Sequence, residues 1–271
     1  MMEEGTKLRI GLIAGSGLLP EVGARFATES GYDLTVIDLT QQGQRFRDYT
    51  NQIYELSPMQ WGKVIEVLHT HRVSNIYFLG EVKKEVLFIS GGIPDERLAS
   101  LLASLPTLSD SQILYGLTAD LEQEGFTVGA QTELVGALVC EPGQWVREPT
   151  VREERDIEIA LRAAGVLTDL DIGQTVIAKD TAVVAVEAME QTDATINRAA
   201  ALTGGGGVLV KMKRKNQDQR FDIPCIGPQT LATMAAAKLT ALVFASGTLL
   251  LEREKILGTA EKANIAIVCI P

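Results

Sequence analysis

Short apolar runs alternate with stretches of helical period along most of the chain. KLRIGLIAG at 7–15 is a continuous apolar run closed by glycine, which predicts a buried strand. SGLLP and then EVGARFATESG at 21–31 follow it, a glycine turn leading into a helix that stops at a glycine. YDLTVIDL at 32–39 predicts the second strand, a polar stretch runs through Tyr54, a helix spans about 58–71, and VSNIYFLG at 73–80 is the next strand. Helices are predicted around 95–104 and 109–124, and GFTVGAQTELVGALV supplies an extended piece and a turn. Alternating strands and helices predict a mostly parallel sheet, so residues 1–142 read as a Rossmann-like domain.

EPGQWVREPTVREERD at 141–156 carries two prolines and a charge cluster, and it reads as a linker. Beyond it IEIALRAAGVL predicts a helix, and GQTVIAKDTAVVAVEA predicts two strands around a Lys-Asp turn. A helix from Thr192 to about Leu202 then runs through four glycines into the strand VLVKM. Helix, strand, helix and a terminal strand IAIVCI complete residues 143–271. The fold class expected is α/β in two domains, the first with a mostly parallel sheet and the second with a mixed one.

Composition narrows the chemistry. The chain has 271 residues, 46% of them hydrophobic, enough for a sizeable core. No apolar run is long enough to span a bilayer, and no signal-peptide pattern opens the chain, which favours the cytoplasm. A formal charge of -10 disfavours nucleic acid as a partner, because neutralising phosphates needs a basic face. Cys140, Cys225 and Cys269 are widely spaced in apolar sequence and read as reduced structural thiols. The two histidines, His69 and His71, stand two apart and would not share a helical face, which disfavours a histidine metal centre or a serine triad.

Candidate chemistry gathers at glycine turns and in one dense block. Gly15, Ser16 and Gly17 lie between a strand and a helix, where backbone N–H groups and the positive helix end suit a phosphate. They also read as a plain tight turn, with Pro20 in the first helical turn. Asp38, ending the second strand, stands where a ribose-binding acid belongs, so a nicotinamide cofactor is an alternative, opposed by Pro20 where the dinucleotide fingerprint wants glycine or alanine. Gly80 and Lys83 in GEVKKEV follow a parallel strand, so they are either ligand-binding or ordinary loop residues. The block from Glu187 to Gly227 then crowds Glu187, Glu190, Asp193, Arg198, Lys211, Asp218, Arg220 and Asp222 around Gly204–Gly207.

Glu187 sits in an apolar run, so its carboxylate must find a partner, a metal or an arginine, or suffer a raised pKa. Thr192 reads as a helix cap, and Asp193 as a complement to the helix dipole or a ligand-binding acid. Arg198 is placed to anchor an acid or reach a phosphate. One glycine suffices to end a helix, so Gly205 and Gly206 predict close backbone approach to a ligand, with Lys211 beyond them. Asp218, Arg220 and Asp222 read as either a salt-bridged turn or a magnesium-type site.

The combination AGSGLLP, GEVKKE, GQTVIAKDTAVVAVEAMEQTDATINRA, GGGGVLVK and QDQRFDIPCIGPQT resembles the LpxI family of UDP-2,3-diacylglucosamine diphosphatases, nearly end to end. The resemblance implies two α/β domains with the substrate between them. It implies metal-dependent hydrolysis of a UDP-linked diacylated sugar to UMP and 2,3-diacylglucosamine 1-phosphate, using Mg2+ or another divalent cation. Asp218 or Asp222 becomes the essential metal-binding or water-activating acid, with Asp218 slightly favoured and Arg220 beside them. Glu187 and Glu190 join the metal set; Gly15, Ser16, Gly17, Gly80, Lys83, Thr192, Asp193, Arg198, Gly205, Gly206 and Lys211 join the substrate set. Gln191 replaces a glycine of the family pattern, KRKNQD replaces a proline-glycine, and Lys179-Asp180-Thr181 lacks a hairpin glycine. Membrane contact is at most peripheral, and a homo-oligomer is compatible. The alternatives are a nicotinamide-dependent oxidoreductase and a non-catalytic nucleotide-binding protein.

Overall fold

The computed structural model describes residues 8–82, 92–215 and 217–271; Lys83 lies outside them. The chain divides into two compact units, one of Met1–Gly136 with Gln219–Phe221, the other of Ala137–Asp218 with Asp222–Pro271. Each is an α/β unit, as the alternation of apolar runs predicts.

In the first unit the strands are β1 (Arg9–Ala14), β2 (Asp33–Asp38), β3 (Gln52–Glu55), β4 (Asn75–Leu79) and β5 (Thr127–Val128). The helices are α1 (Leu19–Glu29), α2 (Trp61–Thr70), α3 (Glu96–Ser104), α4 (Asp110–Gln123) and the short α5 (Gln131–Val135). The sheet is parallel throughout in the order β3-β2-β1-β4-β5. Helices covering both faces explain why β1 and β2 are buried at every position after the first. β3 was not legible in the polar stretch before Tyr54, because it is a half-buried edge strand with Gln52 and Glu55 at its ends. The order of strands reverses between β1 and β4, and the loops leaving these two strands carry Gly15–Gly17 and Gly80.

In the second unit the elements run β6 (Gly143–Trp145), α6 (Val151–Asp169), β7 (Thr175–Lys179), β8 (Ala182–Val186), α7 (Gln191–Thr203) and β9 (Val208–Lys211). They continue as β10 (Cys225–Ile226), α8 (Pro228–Ala236), β11 (Ala241–Ala245), β12 (Leu249–Leu250), α9 (Arg253–Ala263) and β13 (Ala266–Ile270). The six-stranded sheet β6-β13-β11-β9-β7-β8 is mixed: β9, β11 and β13 are parallel, and the outer strands run against their neighbours. Val208 and Val210 of β9 pack on the face covered by Ala160, Ala164 and Leu167 of α6. Leu209 packs on the other face with Ile196 of α7 and Leu231 of α8.

The expected linker at 141–156 is instead part of the second unit's structure. Gly143–Trp145 pairs with β13, and Thr150 caps α6 in a reciprocal box with Glu153. Arg147 closes on the Glu153 carboxylate at 2.8 and 2.9 Å, so the prolines and charges there serve an edge strand and a cap. The glycine missing from the β7–β8 hairpin is also accounted for. Asp180 and Thr181 take positive φ of 52° and 64°, and the buried Asp156 accepts both their N–H groups at 3.2 and 2.6 Å. All three cysteines are free thiols, and burial pushes Cys225 up to about 12.

Candidate functional site

Lys211 ends β9 at the carboxyl edge of the parallel strands. Strand periodicity puts it on the face of Leu209, under α7 and α8, and it is 8% exposed. Its Nζ donates to Thr192 Oγ1 at 2.9 Å and to Thr175 Oγ1 at 3.4 Å. Thr192 in turn donates to Glu187 Oε1 at 2.6 Å, and the Gln174 N–H donates to Glu187 Oε2 at 3.1 Å. Burial alone would raise the Glu187 carboxyl; the charge of Lys211, and then the Thr192 hydroxyl, hold it below the usual carboxylate range. Glu187 therefore finds its partner in a lysine. Thr192 does not cap α7: the cap position is Glu190, and the Thr192 hydroxyl is drawn into the Lys211–Glu187 pair.

Asp193, in the first turn of α7, is the least satisfied acid of the cluster. Its Oδ1 is buried and has no hydrogen-bond partner among the described residues. Burial raises its pKa, opposed by a hydrogen bond from Thr230 of α8 and by the charge of Lys211, and reinforced by Glu187. At neither α7 nor α8 does the N-cap side chain make a capping hydrogen bond. A buried ammonium, two helix starts and an unmatched acceptor suit a ligand that carries both anionic oxygens and a hydrogen-bond donor.

Gln174 connects this cluster to the acidic turn. Its N–H is on Glu187, and its side-chain amide donates to Asp222 Oδ2 at 3.2 Å. Asp222, at φ 58°, also receives Arg214 Nη1 at 2.8 Å, and Arg214 bonds Asp171 as well. The arginine of the Asp222 turn is thus Arg214; Arg220 pairs with Glu122 of α4 at 2.8 Å. Asp218 stands half-buried four residues earlier in the turn. Glu190 and Arg198 bond each other at 2.5 Å, while Glu190 also accepts the Ala188 N–H and Arg198 donates to Val186 O. They clamp the turn before α7 and separate from the Lys211 cluster in partners.

Among the described residues no group of three or more His, Cys, Asp or Glu could hold a metal ion. Both oxygens of Glu187 and of Glu190 accept protein donors. Magnesium is usually held by one or two carboxylates plus substrate phosphates; Asp218 and Asp222 are two acids of one turn, and Asp222 Oδ2 already accepts Gln174 and Arg214. The buried, unmatched Asp193 Oδ1 is a further hard oxygen donor in the same unit.

The four glycines stand at the opposite end of β9 from Lys211, about 10 Å away along a four-residue strand. Gly204 closes α7 in the left-handed conformation. A Cβ on Gly205 would lie 2.7 Å from Ala237 O, and one on Gly207 2.6 Å from Ala178 O. The Gly206 N–H donates to Ala237 O, and Lys179 Nζ to Gly205 O at 2.6 Å. The close approach predicted at Gly205 is therefore to its own chain, while a Cβ on Gly206 would come no nearer than 3.7 Å, to the Lys179 side chain; both stand at the other end of β9 from Lys211.

In the first unit the loops after β1 and β4 close on each other. The N–H groups of Gly15 and Ser16 donate to Leu79 O and Glu81 O, and the Glu81 N–H donates to Ser16 O. A Cβ on Gly80 would lie 2.5 Å from Ser16 O, which explains that glycine without a ligand. Gly17, by contrast, has φ 86° and open space where a Cβ would be. Asp38 is fully buried and accepts Thr40 Oγ1 at 2.7 Å and the Gln42 N–H at 2.5 Å, so the acid expected for a ribose is occupied by its own chain. Arg45, Gln174, Thr175, Arg214 and Thr230 enter these sites without having been singled out as candidates; Gln174, Thr175 and Thr230 lie within the quoted motifs, and Arg214 within KRKNQD.

The family model of the LpxI N-terminal domain matches residues 9–138, and that of the LpxI C-terminal domain matches residues 141–268. A relative from Caulobacter vibrioides, named UDP-2,3-diacylglucosamine pyrophosphatase LpxI, is 30% identical over 276 residues, covering 96% of each chain. Among solved structures, the ADP complex of N5-carboxyaminoimidazole ribonucleotide synthetase aligns with 72% of this chain and 44% of that one, at 13% identity and a TM-score of 0.28, a likeness too slight to bear on the fold.

Proposed function

The chain belongs to the LpxI family, and on that premise we propose that it hydrolyses the diphosphate of UDP-2,3-diacylglucosamine, releasing UMP and 2,3-diacylglucosamine 1-phosphate. The observation that carries this reading is Lys211, a buried ammonium under the first turns of α7 and α8, beside Thr192 and the unmatched Asp193. Fixed positive groups in a water-poor site stabilise the charge that develops on phosphoryl oxygens. Lys211 and the helix starts bind and orient the diphosphate, while Asp193 Oδ1 accepts a hydroxyl of the substrate. Asp218 or Asp222 receives a proton from the attacking water as its oxygen bonds phosphorus and the phosphorus–oxygen bond to the leaving phosphate breaks. Arg214 and Gln174 hold Asp222 in place for this.

A divalent cation, Mg2+ or another, belongs to the proposal, with Asp218 and Asp222 as its holders; when bound it supplies Lewis-acid polarisation and an acidified water. The proposal has one substrate engage residues of both units. It places the enzyme in the cytoplasm with at most peripheral membrane contact for the acyl chains. No helix among the described residues is long and apolar enough to cross a membrane. The nicotinamide alternative loses support from the occupied Asp38.

The test is UMP release from UDP-2,3-diacylglucosamine, with and without chelator, in the wild type and in Asp218→Ala and Asp222→Ala. The wild type should release UMP in a chelator-sensitive way, and at least one variant should fold normally yet lose about 100-fold or more in kcat. Full activity in both variants overturns the acid assignment, and no UMP release by the wild type overturns the function.

A further inference from the structure

Three consecutive residues of the acid turn are seated in the first unit, each by a different grip. The N–H of Gln131, which opens α5, donates to Gln219 O at 2.7 Å, and the buried Gln131 amide donates in turn to Phe78 O at 2.6 Å. Arg220 Nη1 donates to Glu122 Oε1 of α4 at 2.8 Å. Phe221 is 2% exposed and lies in the first unit's hydrophobic core with Met59, Trp61, Leu98 and Leu121. Its ring meets Tyr115 of α4 edge-on, with the centroids 5.2 Å apart.

Asp218 and Asp222 are each one peptide bond from this segment. Asp222 takes φ 58°, a left-handed conformation that a residue other than glycine keeps only where its surroundings enforce it. Arg214 and Gln174 hold its carboxylate, and Gln217 Nε2 donates to its carbonyl at 2.8 Å. Phe221 holds the main chain just before it. A buried ring is costly to move, so the place of the ring sets the direction in which Asp222 leaves the chain. A turn that served only to join β9 to β10 could close on its own residues; this one sends a phenylalanine into a core and an arginine to an acid 98 positions away.

We propose that Phe221 and Arg220 are positioning residues, which fix the segment joining Asp218 to Asp222 and so set the aim of the two acids during hydrolysis. The inference rests on the proposed function, in which one of these acids takes a proton from the attacking water. It gives Arg220 an anchoring role through Glu122 in place of a contact with the substrate. An ion pair this exposed adds little stability, so its loss should be read in kcat and not in unfolding.

Steady-state UMP release from UDP-2,3-diacylglucosamine in detergent micelles tests this, with thermal unfolding in parallel. Arg220→Glu should lower kcat about tenfold or more with KM little changed, the size expected when a reacting group is misplaced by a fraction of an ångström to an ångström. Its unfolding temperature should stay near that of the wild type. Combining it with Glu122→Arg reverses the ion pair and should restore most of kcat; a loss that persists in the double variant means that Arg220 acts on the substrate, and overturns the proposal. Phe221→Leu should lower kcat per folded molecule, whereas Leu68→Ala, a deletion elsewhere in the same core, should lower the unfolding temperature and leave kcat unchanged. Equal loss of kcat in these two variants would mean general loosening and overturn the anchor. If Arg220→Glu does not fold, the comparison of Phe221→Leu with Leu68→Ala decides. Unchanged kcat in the Arg220 and Phe221 variants beside inactive Asp218 or Asp222 variants leaves the function standing and removes the anchor. A wild type that releases no UMP overturns both.

Discussion

Two glycine-rich turns in this chain look alike in sequence and differ in what they offer. Gly15–Gly17 leaves the carboxyl end of β1 and enters a helix, so its last N–H groups join the positive end of α1. Gly204–Gly207 leaves α7 and enters the amino end of β9, where carbonyls predominate and the glycines fit against Ala178 and Ala237. The denser turn is thus the one explained by packing. Glycine marks close approach of something to the backbone, while the polarity of the elements it joins decides whether a phosphate is a suitable visitor. In the second unit the candidate chemistry sits at the far end of β9, around Lys211.

Substitutions at the two ends of β9 and at the first turn probe this contrast. The largest effect is expected at Lys211. Lys211→Met leaves Glu187 buried without its cation, and unfolding experiments should show a loss of about 3–5 kcal/mol at neutral pH. In the wild type the Glu187 carboxyl is held below its ordinary value, so its stabilisation is complete above that value and fades as pH falls through the folded-state value. The deficit of Lys211→Met should therefore shrink toward acid pH, and Lys211→Met with Glu187→Gln should recover much of it. A deficit that grows with acidity would contradict the ion pair.

At the other end of β9, Gly207→Ala forces a Cβ to 2.6 Å from Ala178 O at φ 105°. It should cost about 3 kcal/mol of stability from strain and overpacking. KM of the folded fraction should not change, and a raised KM would restore Gly204–Gly207 as a ligand cradle. The smallest stability effect belongs to Gly17→Ala, which meets open space and bears only the left-handed backbone penalty of about 1–2 kcal/mol. Its KM should rise, the reverse of Gly207→Ala. Equal behaviour of the two variants would erase the distinction between the turns.

Much of the fold was legible because apolar period follows from burial. β1, β4 and β9 are buried on both faces and read as apolar runs, β2 is buried although Thr35 and Asp38 interrupt its apolar residues, and α1 and α7 begin and end near their sequence signals. β3 and β6 were not legible: the first is a half-exposed edge, and the second lies in a segment whose prolines and charges mimic a linker. Of the candidate site, the acids and Lys211 were legible as charges in an apolar setting. Their partners were not. Glu187 and Lys211 are joined through Thr192, which read as a helix cap, and Thr175, and Asp222 is linked to them through Gln174; Thr175 and Gln174 have no marker of their own.

The sequence by itself determined two α/β units, their principal strands and helices, the family, and the set of acids and cations available for phosphate chemistry. Those features depend on local period and residue type, which a linear chain carries in full. Only the tertiary structure decided which charges are paired. It gave Glu187 to Lys211, Asp222 to Arg214, Arg220 to Glu122 and Glu190 to Arg198, left Asp193 Oδ1 unmatched, and placed Arg45 beneath the Gly15–Gly17 turn. The physical reason is that a charge acts over a few ångströms in space, and strand register and helix packing bring to that distance residues separated by tens of positions along the chain.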